Sequence, residues 1–184
     1  MALKESNMMA LGTEAPDFKL PDPATGKDFA LDDVRGPKGT VVMFICNHCP
    51  YVIHVNPELV KVANDYQERG IHFVAISSND VAKYPADGPE EMAEVSRQLS
   101  YPFPYLYDED QSVARAYDAA CTPDLYLFDE NLQLYYRGRL DASRPGNNAA
   151  LTGEDLRRAM DMLLTRMPAP PEQRPSAGCS IKWK

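Results

Sequence analysis

The 184-residue chain has no apolar stretch approaching the ~20 residues that a membrane-spanning helix needs, so no membrane span is expected. Residues 1–12 include Lys4, Glu5, Ser6 and Asn7 and have no continuous apolar core, so they do not read as a signal peptide. Positive charge is short: 19 Lys and Arg stand against 27 Asp and Glu, and the net charge of −8 argues against a nucleic-acid partner. There is no internal repeat and no block of like charge. Cysteine is sparse at four residues. With no targeting segment a cytoplasmic location is the default. Thiols there are kept reduced, so these four are expected to be redox-active, metal-binding or inert. The length suits one domain with a real core.

What the chain does carry is the run Thr40 to Pro57, Thr-Val-Val-Met-Phe-Ile-Cys-Asn-His-Cys-Pro-Tyr-Val-Ile-His-Val-Asn-Pro. The apolar part, Val41 to Ile45, predicts a fully buried strand, and a helix-period pattern starts just past Cys49. Cys46 and Cys49 therefore fall on a strand-to-helix turn. Backbone N–H groups at a helix start favour the thiolate, which is the nucleophilic form. Cys49 is thus expected to be a reactive thiol on a turn, with Cys46 its first-choice disulfide partner.

Around this run, Gly12 to Leu20 reads as extended, Asp22 to Gly26 as a turn and Lys27 to Leu31 as a returning strand. Met1 to Leu11 reads as a leader with little to pack. Val52, Val55, Leu59, Val62, Ala63 and Tyr66 make one helix face, with Pro57 expected to kink it and Gly70 to end it. Ile71 to Ile76 is a second buried strand, parallel to the first through a right-handed crossover. A polar loop over Asn79 to Gly88 leads to a helix at Pro89 with Met92, Val95 and Leu99 inward. A short helix over Ser112 to Ala120 precedes Cys121-Thr-Pro-Asp. Leu125 to Phe128 and Leu132 to Arg137 form an antiparallel hairpin, and Thr152 caps a last helix with Leu156, Ala159, Met160, Leu163 and Leu164 inward. Four prolines between Pro168 and Pro175 divide a domain over 1–167 from a linker and Cys179-containing tail over 168–184. The only Trp, Trp183, and Ile181 lie in that tail, and burying them would favour docking.

Gly12-Thr-Glu-Ala-Pro-Asp-Phe-Lys-Leu with Gly26-Lys27 resembles the N-terminal segment of peroxiredoxins of the alkyl hydroperoxide reductase and thiol-specific antioxidant type. Cys46-Asn-His-Cys49 stands where thioredoxins carry Cys-x-x-Cys, and Thr122-Pro123 is similar to their cis-proline corner. With Tyr136-Arg-Gly-Arg139 and Gly178-Cys-Ser-Ile-Lys-Trp183, the whole resembles a peroxiredoxin-like thioredoxin subgroup. The resemblance implies an α/β thioredoxin-like fold: a central mixed β-sheet flanked by helices, an N-terminal β-hairpin extension and a helix-strand insertion. It implies no organic cofactor and no resident metal. Cys49 lies five residues after Phe44 and eight before Pro57, which is the register of the attacking cysteine in thioredoxins. Peroxiredoxins carry Pro-x-x-x-Thr-x-x-Cys; counting back from Cys49, the Thr position holds Cys46 and the Pro position Val42.

The expected activity is thiol–disulfide exchange: Cys49 attacks, and Cys46, or else Cys121 or Cys179, resolves. Cys121 would face the site if the Thr122–Pro123 bond is cis. Thr122, Pro123, His48 and Pro50 are the expected substrate-binding residues, with the Thr122 backbone available to an extended segment and His48 able to help hold the thiolate. Disulfide-containing proteins or small thiols are the expected substrates, and a dithiol the reductant. One alternative is a peroxidase with Cys49 as the peroxidatic residue. Another is a copper or zinc site drawn from Cys46, His48, Cys49 and Cys121. A third is a binding module without catalysis. His54 and His72 read as ordinary solvated or packed residues.

Overall fold

Val41 to Ile45 are each at most 1% exposed, the burial of a strand covered on both faces. The structure is a computed structural model that describes residues 3–184. Its elements run β1 (Leu3–Glu5), β2 (Lys19–Asp22), β3 (Lys27–Ala30), α1 (Leu31–Val34), β4 (Gly39–Phe44), α2 (Pro50–Gln67), β5 (Ile71–Ser77) and α3 (Pro89–Gln98). They continue through β6 (Tyr105–Tyr107), α4 (Ser112–Ala116), β7 (Cys121–Thr122), β8 (Asp124–Asp129), β9 (Leu134–Gly138), α5 (Glu154–Leu164) and β10 (Ala177–Ser180). The central sheet has the order β6-β5-β4-β8-β9. β4 pairs parallel with β5 and antiparallel with β8, so the sheet is mixed, as expected.

Alternation along β4 builds two cores. Val41 and Met43 pack with Val52, Leu59 and Val62 of α2 and with Leu156 and Met160 of α5. Val42 and Phe44 face the other way, onto Phe18, Leu20, Leu31 and Tyr117. The N-terminal hairpin β2–β3 forms where the turn residues predict, and the one-turn α1 follows it. α2 runs through Pro57, and Gly70 supplies the positive φ of +92° that turns the chain into β5.

Four expectations need correction. Leu99 is exposed, because α3 ends at Gln98 and Leu99 caps it beyond the packed face. The cap of α5 is Gly153 rather than Thr152, because the distant Asp141 carboxylate accepts both the Thr152 and Gly153 N–H groups. Leu163 and Leu164 are only partly buried against the core. The supposed leader is structured from Leu3 onward, since β1 pairs antiparallel with β10; Met1 and Ala2 lie outside the described residues. The segment after the prolines is packed as well. β10 is the middle strand of a small sheet of order β1-β10-β7, and Cys179 and Ile181 are each 3% exposed.

Candidate active site

The end of β4 carries Cys46, and Cys49 is the N-cap residue of α2, followed by Pro50 at the first helical position. Across the turn the Thr122–Pro123 bond is cis. This places Thr122 against both sulfurs: its carbonyl oxygen is 3.4 Å from Cys49 Sγ and its hydroxyl 3.7 Å from Cys46 Sγ. The fourth cysteine completes the cluster. Cys179 Sγ is 2.7 Å from Cys49 Sγ, because β10 pairs Cys179 with Thr122 in register. A glycine is required just before it. A Cβ at Gly178 would collide with the Thr122 carbonyl oxygen, and only a bare backbone lets β10 lie so close.

Cys49 was expected on an accessible turn, yet it is fully buried. The turn is as predicted, but β10 lies across it. Cys49 belongs to the apolar core, and within it its sulfur meets the Cys179 sulfur and the Thr122 peptide. A hydrogen bond from the Cys46 thiol holds Cys49 well below the ordinary thiol range. The Cys179 thiol and the Thr122 hydroxyl add to this, and the Val52 N–H at the start of α2 contributes least, without closing a full cap. With Cys49 ionised, Cys46 is pushed up, first by its hydrogen bond to Cys49, then by burial and the nearby Asp87. Cys179 is pushed up to about 12, mainly by burial and then by Cys49. The direction of these shifts favours the charge of the cluster on Cys49.

Cys121 does not join this cluster although the proline is cis. Adjacent residues of a strand point to opposite faces, so Thr122 faces the sulfurs and Cys121 faces away. Cys121 Sγ lies 3.6 Å from the Pro123 carbonyl oxygen and 4.0 Å from Ser6 Oγ, and burial raises its pKa. Pro50 is exposed at the helix start. His48 is tied to Asp87, with Nδ1 2.5 Å from the carboxylate, and stacks on Tyr84. His54 bonds to Ser143 Oγ at 2.5 Å.

Asp87 is the residue that sequence reasoning missed. It is fully buried and accepts the Asn47 and His48 N–H groups at 2.8 and 3.2 Å and the Asn79 amide at 2.9 Å, besides the His48 ring. It thereby fixes the backbone between the two cysteines. A lone Asp in a polar loop gives no sequence signal for this. Of the expected soft-metal set, Cys46 and His48 come within 4.8 Å of each other and of Asp87, while Cys121 is elsewhere. Both Asp87 oxygens are already occupied by hydrogen bonds within the turn.

Residues 11–137 match the AhpC/TSA family. The chain belongs to it. This AhpC/TSA chain is a thioredoxin-fold redoxin. It is 29% identical over 127 residues to the thiol-disulfide oxidoreductase ResA of Geobacillus thermodenitrificans, covering 69% of this chain and 68% of that protein. A crystal structure of a conserved protein from Geobacillus kaustophilus has TM-score 0.98 and 57% identity, covering 100% of this chain and 97% of the other. A hypothetical protein from Sinorhizobium meliloti 1021 follows at TM-score 0.95 and 44% identity, with 98% of each covered. A thiol:disulfide interchange protein DsbE from Chlorobium tepidum shares the fold at TM-score 0.66 and 22% identity, over 85% of this chain and 99% of that one.

Proposed function

We propose that this redoxin is a thiol–disulfide oxidoreductase in which Cys49 attacks and Cys179 resolves. The carrying observation is the 2.7 Å approach of the Cys49 and Cys179 sulfurs, which makes Cys179 rather than Cys46 the better partner. In the first step the Cys49 thiolate attacks one sulfur of a substrate disulfide. The substrate S–S bond breaks, a mixed disulfide forms on Cys49, and one substrate thiolate leaves. Cys49 has now lost its charge, and with it goes part of what held the Cys179 proton in place. Cys179 gives that proton to the departed thiolate and attacks Cys49 Sγ. The second substrate sulfur leaves as a thiolate, which takes its proton from solvent, and the Cys49–Cys179 disulfide holds the oxidising equivalents. An external thiol or dithiol reductant then restores both thiols. Cys46 acts as the hydrogen-bond donor that keeps Cys49 ionised. We place the reaction in the cytoplasm, where reduced thiols supply the electrons.

Mild oxidation followed by mass mapping of the linked peptides tests the pairing. A 49–179 link is expected, and a 46–49 link as the main product would return the resolving role to Cys46. Peroxide reduction is the second reading, favoured by the AhpC/TSA match. Rapid consumption of hydrogen peroxide in a thiol-recycling assay would bring it to the front.

A further inference from the structure

We infer that β10 is a substrate mimic that gates the active site: Ala177–Ser180 occupies the strand edge at Cys121–Thr122 where an extended disulfide-bearing polypeptide would pair, and Cys49 meets such a substrate only after β10 has left. This rests on the oxidoreductase reading above. The register supports it directly. Cys179 lies opposite Thr122 and Ser180 opposite Cys121, so the tail presents a cysteine to Cys49 as an added strand would. Gly178 admits the backbone where any side chain would strike Thr122. Cys49 is fully buried and Cys179 almost so, which leaves no approach to either sulfur while β10 stays. Besides β10, the sulfurs meet Thr122 of β7 and the start of α2.

The tail is also fastened by contacts beyond the sulfurs, which is what a latch needs. Asn79 Oδ1 accepts the Lys182 N–H at 2.8 Å, and the Lys182 carbonyl accepts from the Asp80 N–H and the Gln111 amide. Gln111 Oε1 accepts the Lys184 N–H at 3.0 Å, and the Arg115 guanidinium lies 4.5 Å over the Trp183 ring. On its other edge β10 is paired by β1, only three residues long. Short paired segments of this kind open locally without global unfolding. After release, the same edge accepts a substrate strand with glycine before its cysteine. The return of β10 then brings Cys179 back to resolve the mixed disulfide and expels the substrate from the edge.

The test uses the reduced full-length protein, alkylated with iodoacetamide at neutral pH, with Cys49 modification followed by mass and release of residues 177–180 by amide hydrogen exchange. Gly178→Val is expected to raise Cys49 alkylation at least tenfold over wild type. Gln111→Ala, which removes the side-chain amide that holds the Lys182 carbonyl and the Lys184 N–H away from the sulfurs, is expected to give an intermediate rise and carries the test if Gly178→Val does not fold. Both increases should parallel faster exchange at 177–180. Wild-type alkylation as fast as in the variants, with those amides still protected, would overturn the gate. A second readout separates the gate from the reading beneath it. Peptides carrying Ala-Gly-Cys-Ser or Ala-Leu-Cys-Ser as mixed disulfides with thionitrobenzoate report attack by Cys49 through release of the coloured thiol. Faster release from the glycine peptide, further accelerated by Gln111→Ala, supports the mimic. An alkylation-competent Cys49 that releases nothing from either peptide overturns the oxidoreductase reading while leaving the gate standing.

Discussion

Replacing Cys46 with alanine should separate the two cysteines of the Cys46-Asn-His-Cys49 turn by role. The Cys46 thiol supplies the largest stabilisation of the Cys49 thiolate. A hydrogen bond to a charged group is worth about 1.5–3 kcal/mol. One pKa unit corresponds to about 1.4 kcal/mol, so losing the bond should raise the Cys49 pKa by about 1–2 units. Cys179, Thr122 and the start of α2 remain, so Cys49 should still ionise below an ordinary thiol. Thiolate absorbance in the ultraviolet, followed against pH in Cys46→Ala and in Cys46→Ala/Cys49→Ala, isolates the titration. The single variant should also form the 49–179 link under mild oxidation at a pH above its new midpoint. A midpoint that does not move, or that moves down, would refute the assignment of Cys46 as donor. Loss of the 49–179 link with the fold intact would refute its exclusion from the disulfide.

Stability should depend on pH with a sign set by the same group. Cys49 is depressed in the folded state, so the reduced protein gains stability as pH rises from the folded value toward the ordinary thiol value and loses it as pH falls back. The raised Cys46 and Cys179 begin to oppose this only above the ordinary thiol value. Melting curves of wild type and Cys49→Ala should therefore converge as pH falls, and parallel curves would count against the linkage. Asp124 behaves oppositely: burial raises it to about 6, so it costs stability as pH rises between the ordinary carboxylate value and 6. The melting temperature of Asp124→Asn relative to wild type should grow by roughly 5 °C from pH 4 to pH 7, and a constant difference would refute this. Asp87→Ala leaves the Asn47 and His48 N–H groups and the Asn79 amide without their acceptor. Denaturant unfolding should show a loss of at least about 3 kcal/mol, and a loss under about 1 kcal/mol would remove Asp87 from the structural account of the turn.

The central sheet was legible because Val41 to Ile45 is an unbroken apolar run and Ile71 to Ile76 is apolar but for His72, and α2 was legible because its buried residues recur at steps of three and four. Local patterns of this kind state their own burial. The register of Cys49 against Phe44 and Pro57 placed Cys49 at the start of α2 for the same reason. What could not be read was assembled from distant pieces. β1 is Leu-Lys-Glu, exposed throughout, and its strand character comes only from a partner more than 170 residues away. β10 is Ala-Gly-Cys-Ser, with no alternation and little strand propensity. Its position depends on Thr122, Gly178 and the anchors at Asn79 and Gln111, none of which marks the other in sequence. The burial of Cys49 was missed with it, and so was the closeness of Cys179 to Cys49.

Because 130 residues separate Cys49 from Cys179, Cys49 is made long before its cover. During synthesis the α2 end of the chain leaves the ribosome with a bare thiol, and that sulfur stays open to oxidants and to stray pairing with Cys46 until residues 177–180 are added. A newly made molecule is consequently at its most vulnerable to oxidative damage just before its final strand is laid down.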